Sequence, residues 1–246
     1  MKSSFILVVL TCVAVLTGCA GRVQPPVALD QNFWQKENPR VGVSMTSAQQ
    51  PAAYLSGADC LLCLAAANIA NSELIDHMPT LPAEDLLSLE AELVDTLNAQ
   101  GLQASAVTDS FSVKHLKPSS LPEGAEKDFS PWADTYDYLL IVDVSMFGTH
   151  RSYSGYIPTS DPQAVVKGRV YMVDMSNNQY VLYDAFHTIR AVDGEWDEAP
   201  TFPGVTNAYF QAIESSKDNI KGLVAKARCK TCGDTAAEPA VAVSEL

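Results

Sequence analysis

The sequence predicts one α/β domain, a mixed β-sheet of about five strands with helices packed on it. Three observations predict it. Tyr138 to Ile141, inside DYLLIVDVSMF, are apolar at consecutive positions, the pattern of a central strand covered on both faces. Two β-rich stretches flank a Ser176-Asn177-Asn178-Gln179 turn, which marks an antiparallel hairpin. Two segments, Ala83 to Gln100 and Pro203 to Lys226, carry apolar residues at helical spacing and need a surface on which to bury them.

In chain order, Arg40 to Thr46 (RVGVSMT) alternates and is β-rich, so it reads as the first strand. Gln49 to Ser56 reads as a loop. Asp59 to Met78 reads as largely helical, stopped by Pro79 and Pro82. Its first half, CLLCLAAANIA, is apolar on nearly every side, which implies burial or pressure against a partner. That stretch is too short to span a bilayer. Ala83 to Gln100 has Pro82 near its start, Glu84 and Asp85 in its first turn and Gly101 just past its end. Its stripe is Leu86, Leu89, Leu93 and Leu97.

Leu102 to Val107 is a short strand, and the helix before it predicts that it runs parallel to the first strand. Ser110 to Pro131 is a polar, proline-bearing connection with one helical turn. Asp137 to Phe147 is the central strand. Gln163 to Met175 and Gln179 to Thr188 form the hairpin. The closing helix, Pro203 to Lys226, repeats Val205, Tyr209, Ile213, Ile220 and Leu223 at helical spacing. Gly233 to Leu246 has no apolar period and reads as disordered.

The chain divides into four regions. Residues 1–18 have a positive start at Lys2 and an apolar core, FILVVLTCVAVL, of signal-peptide length. Residues 19–40 hold Pro25-Pro26 and no period, and read as a flexible tether. Residues 41–228 form the α/β domain. Residues 229–246 hold a cysteine pair and the tail. The stretch Leu16-Thr17-Gly18-Cys19 resembles the lipobox of bacterial lipoproteins, in which the cysteine is lipidated and becomes the first mature residue. That resemblance implies lipidation of Cys19. Ala20 rather than Asp in the next position implies delivery to the outer membrane, with the domain on the periplasmic face. Several acyl chains would hold the protein firmly where one would not.

Lys and Arg number 16 against 29 Asp and Glu, a net charge of −13. That balance excludes nucleic acid as a partner and excludes electrostatic adhesion to anionic lipid. The lipid therefore supplies the membrane contact. Of six cysteines, Cys12 leaves with the signal and Cys19 is the lipid site. Four remain as two C-x-x-C pairs, Cys60/Cys63 and Cys229/Cys232. An oxidising compartment makes them disulfide candidates, and four cysteines allow three connectivities. The same pairs are also the material of a zinc site or a redox centre.

No catalytic residue is assigned. His77, His115, His150 and His187 stand in no metal-binding frame, and Asp143 and Asp174 read as solvent-facing or strand-end acids. No phosphate loop or nucleophile elbow occurs, and no cofactor or metal is expected. The loop Thr149 to Ala164 (THRSYSGYIPTSDPQA) is longer than a hairpin needs and holds Arg151, Tyr153 and Tyr156, residue types that dominate interface hot spots. These three are the partner-binding candidates.

From Val41 to Lys226, the order of elements and the phrases ADTYDYLLIVDVSMFG and AVVKGRVYMVDMSNNQYVLYDA resemble the group of envelope lipoproteins and domains that includes CsgG, LpoB, PelC and the TolB amino-terminal domain. The resemblance implies an α/β domain used for assembly and contact, and no enzyme activity. Neither cysteine pair belongs to that pattern, and long alternating insertions for extra membrane hairpins are missing. The expected function is therefore a non-catalytic, periplasm-facing outer-membrane lipoprotein, an assembly or accessory factor for an envelope complex. One alternative is a subunit of a ring-forming export assembly, a homo-oligomer. Another is a redox or metal-binding protein built on the two C-x-x-C pairs.

Overall fold

The computed structural model describes residues 24–46, 50–107, 113–121 and 124–229. The signal segment, Cys19, Cys232 and the C-terminal tail lie outside them. Seven strands form one mixed sheet: β1 (Arg40–Met45), β2 (Ala52–Ser56), β3 (Gln103–Ala106), β4 (Tyr138–Ser154), β5 (Ile157–Pro158), β6 (Gln163–Asp174) and β7 (Gln179–Ala191). Among the described residues five α-helices accompany it: α1 (Leu61–Ala70), α2 (Ser72–His77), α3 (Glu84–Leu87), α4 (Leu89–Ala99) and α5 (Pro203–Cys229).

The strand order is β3-β1-β4-β6-β7, with β2 and β5 also paired to β4. β1 runs parallel to β3, as the intervening helix predicted, and also to β4. β6 and β7 are the antiparallel hairpin. The α/β fold class therefore stands, with two strands more than expected.

The extra strands have one cause. β4 does not end at Phe147 but continues to Ser154, 17 residues in all. Antiparallel pairing with β6 carries it past a bulge at Ser145 as far as His150↔Gln163. On its other side β1 covers the first half of β4, and β2, expected as loop, covers the second half in parallel from Ala52↔Gly148 to Ser56↔Ser152. Gly148 has φ +137, and a Cβ there would strike the Ala52 backbone, so glycine lets β2 close on β4. The expected long loop at 149–164 is reduced to a turn at Gly155, the short β5 and a few linking residues.

Both faces of β4 are buried. Tyr138, Leu140 and Val142 face the main core, with Leu89, Leu93 and Leu97 of α4 and Val205 and Ile213 of α5. Leu139 and Ile141 face a second core with Phe129, Tyr171 and Tyr183. The polar connection before β4 closes that second face with Val113, Ala125 and Phe129. Two predicted helices are interrupted. Asn71 separates α1 from α2, and Ser88, whose one hydroxyl hydrogen is shared between the Asp85 carbonyl (2.8 Å) and Glu92 Oε1 (2.9 Å), separates α3 from α4.

Residues 24–40 correct the expectation of a flexible tether. Val27 and Tyr183 exchange two backbone hydrogen bonds of 2.8 Å at the outer edge of β7. Leu29 and Phe33 are buried in the main core, and the Phe33 ring meets Tyr138 edge-on at 4.9 Å. Lys36 reaches Asp174 (3.5 Å), and Arg40 pairs with Asp137 (2.9 Å). Apolar side chains every few positions turn this stretch into a strap on the domain. At the other terminus α5 runs to Cys229, three residues beyond its expected end.

Candidate functional site

The site candidates converge at the far end of β4, where β2, α1 and the β4–β5 turn meet. The turn is set by backbone contact: the amide of Gly155 donates to the Gly57 carbonyl (3.1 Å). Gly57 has φ +88, and a Cβ there would collide with the Tyr153 carbonyl. Its left-handed conformation directs the chain from β2 into α1.

α1 begins at Cys60, whose Sγ accepts from the Cys63 amide (2.9 Å) as an N-cap. Cys60 and Cys63 form a disulfide with Cα atoms 4.9 Å apart. Cys63 and Ala67 face inward, against Ala58 and Tyr153. The rest of the helix faces outward. Leu61 is 85% exposed, Leu62 81% and Ile69 77%. Tyr156 (71%) and Ile157 are exposed as well, directly after Gly155, where an added Cβ would lie 3.8 Å from Cys63 Sγ. Apolar side chains on consecutive turns therefore form one exposed surface around a disulfide-capped helix.

Beneath that surface lies a polar network. Asn71, almost fully buried, donates from Nδ2 to the Ala67 carbonyl and to the Tyr153 hydroxyl, each at 2.6 Å. Its Oδ1 accepts from Arg151 Nη1 (2.9 Å), and Arg151 Nε donates to the Ser160 carbonyl (3.0 Å). The Arg151 guanidinium lies over Trp196, 4.4 Å from the ring centroid. A cleft of about 460 Å³ opens here, lined in part by Ile69, Glu73, Arg151, Trp196, Asp197 and Phe202.

The predicted residues separate accordingly. Tyr153 is buried and structural, because the extension of β4 turns its ring under α1. Arg151 is half-buried and committed to internal partners. Tyr156 faces outward. Sequence reasoning missed Asn71, which resembles any helix asparagine until its partners are seen. It also missed the loop Asp193-Gly194-Glu195-Trp196-Asp197-Glu198. Its four acids are exposed around a half-buried tryptophan, and a lone Trp in an acidic run is the signal that marks it.

The remaining candidates lie elsewhere. Cys229 is the last residue of α5, and its pairing with Cys232 falls outside the described residues. Asp143 accepts from Arg169 (2.8 Å) and from Thr46 (3.0 Å), whereas Asp174 accepts from Ser176 and Lys36. They sit on different strands, each in its own ion pair, and do not form a catalytic dyad. Burial lowers the pKa of His77, whose ring contacts the Thr206 hydroxyl (3.0 Å). Burial also lowers that of His150, helped by the nearby positive groups His187 and Lys167. His115 and His187 are exposed. Among the described residues no group of three His, Cys, Asp or Glu side chains is placed to hold a metal ion. Among them, too, no helix is long and apolar enough to cross a membrane.

No family model matches the chain, and no curated protein matches it. Solved structures that match along much of its length include protein XCC0632 from Xanthomonas campestris, at 16% identity, 85% of this chain, 96% of that chain and a TM-score of 0.40. The PelC dodecamer from Paraburkholderia phytofirmans matches at 12% identity, 77% of this chain, 92% of that chain and a TM-score of 0.31. Lipoprotein GNA1162 from Neisseria meningitidis matches at 15% identity, 74% of this chain, 99% of that chain and a TM-score of 0.26.

Proposed function

We propose that this chain is a non-catalytic, lipid-anchored envelope protein that acts by contact, as an assembly or accessory factor for an envelope complex. The observation that carries the reading is the exposed apolar surface of Leu61, Leu62, Ile69, Tyr156 and Ile157. Exposed apolar surface of this kind marks interaction sites. Its support is rigid: a disulfide cap on one side and the buried Asn71–Tyr153–Arg151 network below. A preorganised surface loses little entropy on docking. The apolar Cys60 to Ala70 stretch and Tyr156 thus belong to one contact face, with Arg151 and Tyr153 as its foundation.

The test is photocrosslinking in cells from position 156, with an exposed residue of α5 such as Asp218 as control. One dominant envelope protein among the adducts supports the accessory role. Adducts consisting only of copies of this chain transfer the reading to a self-assembling ring. Adducts no more abundant than from position 218 overturn the contact face.

A further inference from the structure

The surface of α1 does not end in neutral ground. Ile69 lies at its C-terminal end and also lines the cleft that holds Glu73, Trp196 and Asp197. Glu195, Asp197 and Glu198 are exposed beside Trp196. Arg151, the cation in that lining, is turned onto Asn71, Ser160 and the Trp196 face, and its one charge is outnumbered by Glu73, Glu195, Asp197 and Glu198. From Leu61 to Ile69 the helix rises only about 12 Å. One ligand segment can therefore touch the apolar face and the acidic rim together.

We infer that α1, the Tyr156 turn and the acidic loop around Trp196 form a docking groove for an amphipathic, lysine- or arginine-bearing segment of a partner protein. Leu61, Leu62, Ile69 and Tyr156 would take its apolar side chains, and Glu73, Glu195, Asp197 and Glu198 its cations. This inference rests on the contact reading above and adds the chemistry of the partner.

Two other occupants fit less well. A second copy related by two-fold symmetry brings the same patch to itself, and acids then face acids in a chain of net charge −13. A bilayer surface is bound by helices with basic residues along their flanks, whereas α1 has no charge at all and its surroundings are acidic.

The experiment uses the full mature chain and two fluorescent synthetic helical peptides. Both have the same leucine stripe, one flanked by lysines and the other by glutamates. The lysine peptide should bind at least about tenfold more tightly than the glutamate peptide, and the difference should shrink as salt rises from about 0.05 M to about 0.5 M. Leu62→Glu with Ile69→Glu should abolish binding while leaving the melting temperature near that of the parent, because both side chains are exposed. Glu195→Lys with Asp197→Lys should erase the preference and keep the apolar contribution.

Equal binding of the two peptides, or binding of neither, overturns the inference. So does a concentration-dependent dimer that Leu62→Glu dissolves, since the occupant is then a second copy. Flotation with phosphatidylethanolamine–phosphatidylglycerol vesicles that Leu62→Glu abolishes makes the occupant a lipid surface and overturns it too. If position 156 crosslinks to one envelope protein while neither peptide binds, the accessory role stands and only the basic partner segment is refuted.

Discussion

The Nδ2 of Asn71 donates a 2.6 Å hydrogen bond to the hydroxyl of Tyr153, joining the α1–α2 junction to the end of the longest strand. Three partners depend on this one carboxamide: Ala67, Tyr153 and Arg151. Asn71→Ala strands the buried Tyr153 hydroxyl and the half-buried Arg151 Nη1, while the Ala67 carbonyl keeps the residue-71 amide. It should cost about 1–3 kcal/mol, whereas Tyr153→Phe removes one partner and should cost about 0.5–1.5 kcal/mol. In urea unfolding the double variant should lose less than the two single losses added together. Strict additivity would mean that the network does not act as a unit.

Phe33 anchors the N-terminal strap. It is 3% exposed and packs on Tyr138 at 4.9 Å. Phe33→Ala should cost about 3 kcal/mol through the cavity it leaves. It should also expose the backbone at Lys36 and Arg40 to trypsin well below the temperature of global melting. Limited proteolysis with mass mapping reads this directly, and a cleavage pattern like the parent's would show that the strap holds without its aromatic.

Acid stability turns on Glu92. Burial pushes its pKa up, but hydrogen bonds from Lys217, Lys221 and Ser88 outweigh this and bring it down to about 2, from an ordinary 4.5. A carboxyl with a depressed folded pKa stabilises fully above its unfolded value and loses that contribution as pH falls through the folded one. The Glu92 clasp between α4 and α5 should therefore be intact above about pH 4.5 and fade toward pH 2. Glu92→Gln should melt earlier than the parent at pH 7, and the gap should close across that window. A gap that stays constant to pH 2 would assign the clasp to packing rather than charge.

The Cys60–Cys63 disulfide closes a very short loop, so its removal should cost only about 1–2 kcal/mol. The effect should be local. Cys60→Ala with Cys63→Ala should speed amide exchange along α1, which loses its sulfur cap, and leave α4 and α5 unchanged. Exchange that rises evenly through the domain would show that the bond braces more than α1.

The central strand, the parallel β1–β3 pair and the β6–β7 hairpin were legible because each is written in local apolar patterning and turn chemistry. The second half of β4 was not. His150, Arg151 and Ser152 carry no strand signal, and their extended conformation is imposed by β2, which pairs with all three, while β6 on the other side reaches only His150. For the same reason Arg151 and Tyr153 looked like loop residues available to a partner. α1 announced itself as an apolar surface. Its acidic neighbour did not, because residues 193–198 reach it only through the fold. The strap was not legible, because the polar neighbours of Leu29, Phe33 and Trp34 concealed their common direction.

On the proposed lipid anchor the strap would also set the orientation of the molecule. With a lipid on Cys19, the five residues from there to Gln24 reach at most about 18 Å, where a free leash to Arg40 would reach several times as far. The strap meets the sheet at Tyr183, level with Ile141 through Tyr171, and Tyr153 lies twelve positions farther along the same strand, about 40 Å away. On the proposed anchor so short a leash would keep the strap end at the bilayer. α1 would then be the pole farther from the membrane, held at nearly constant height.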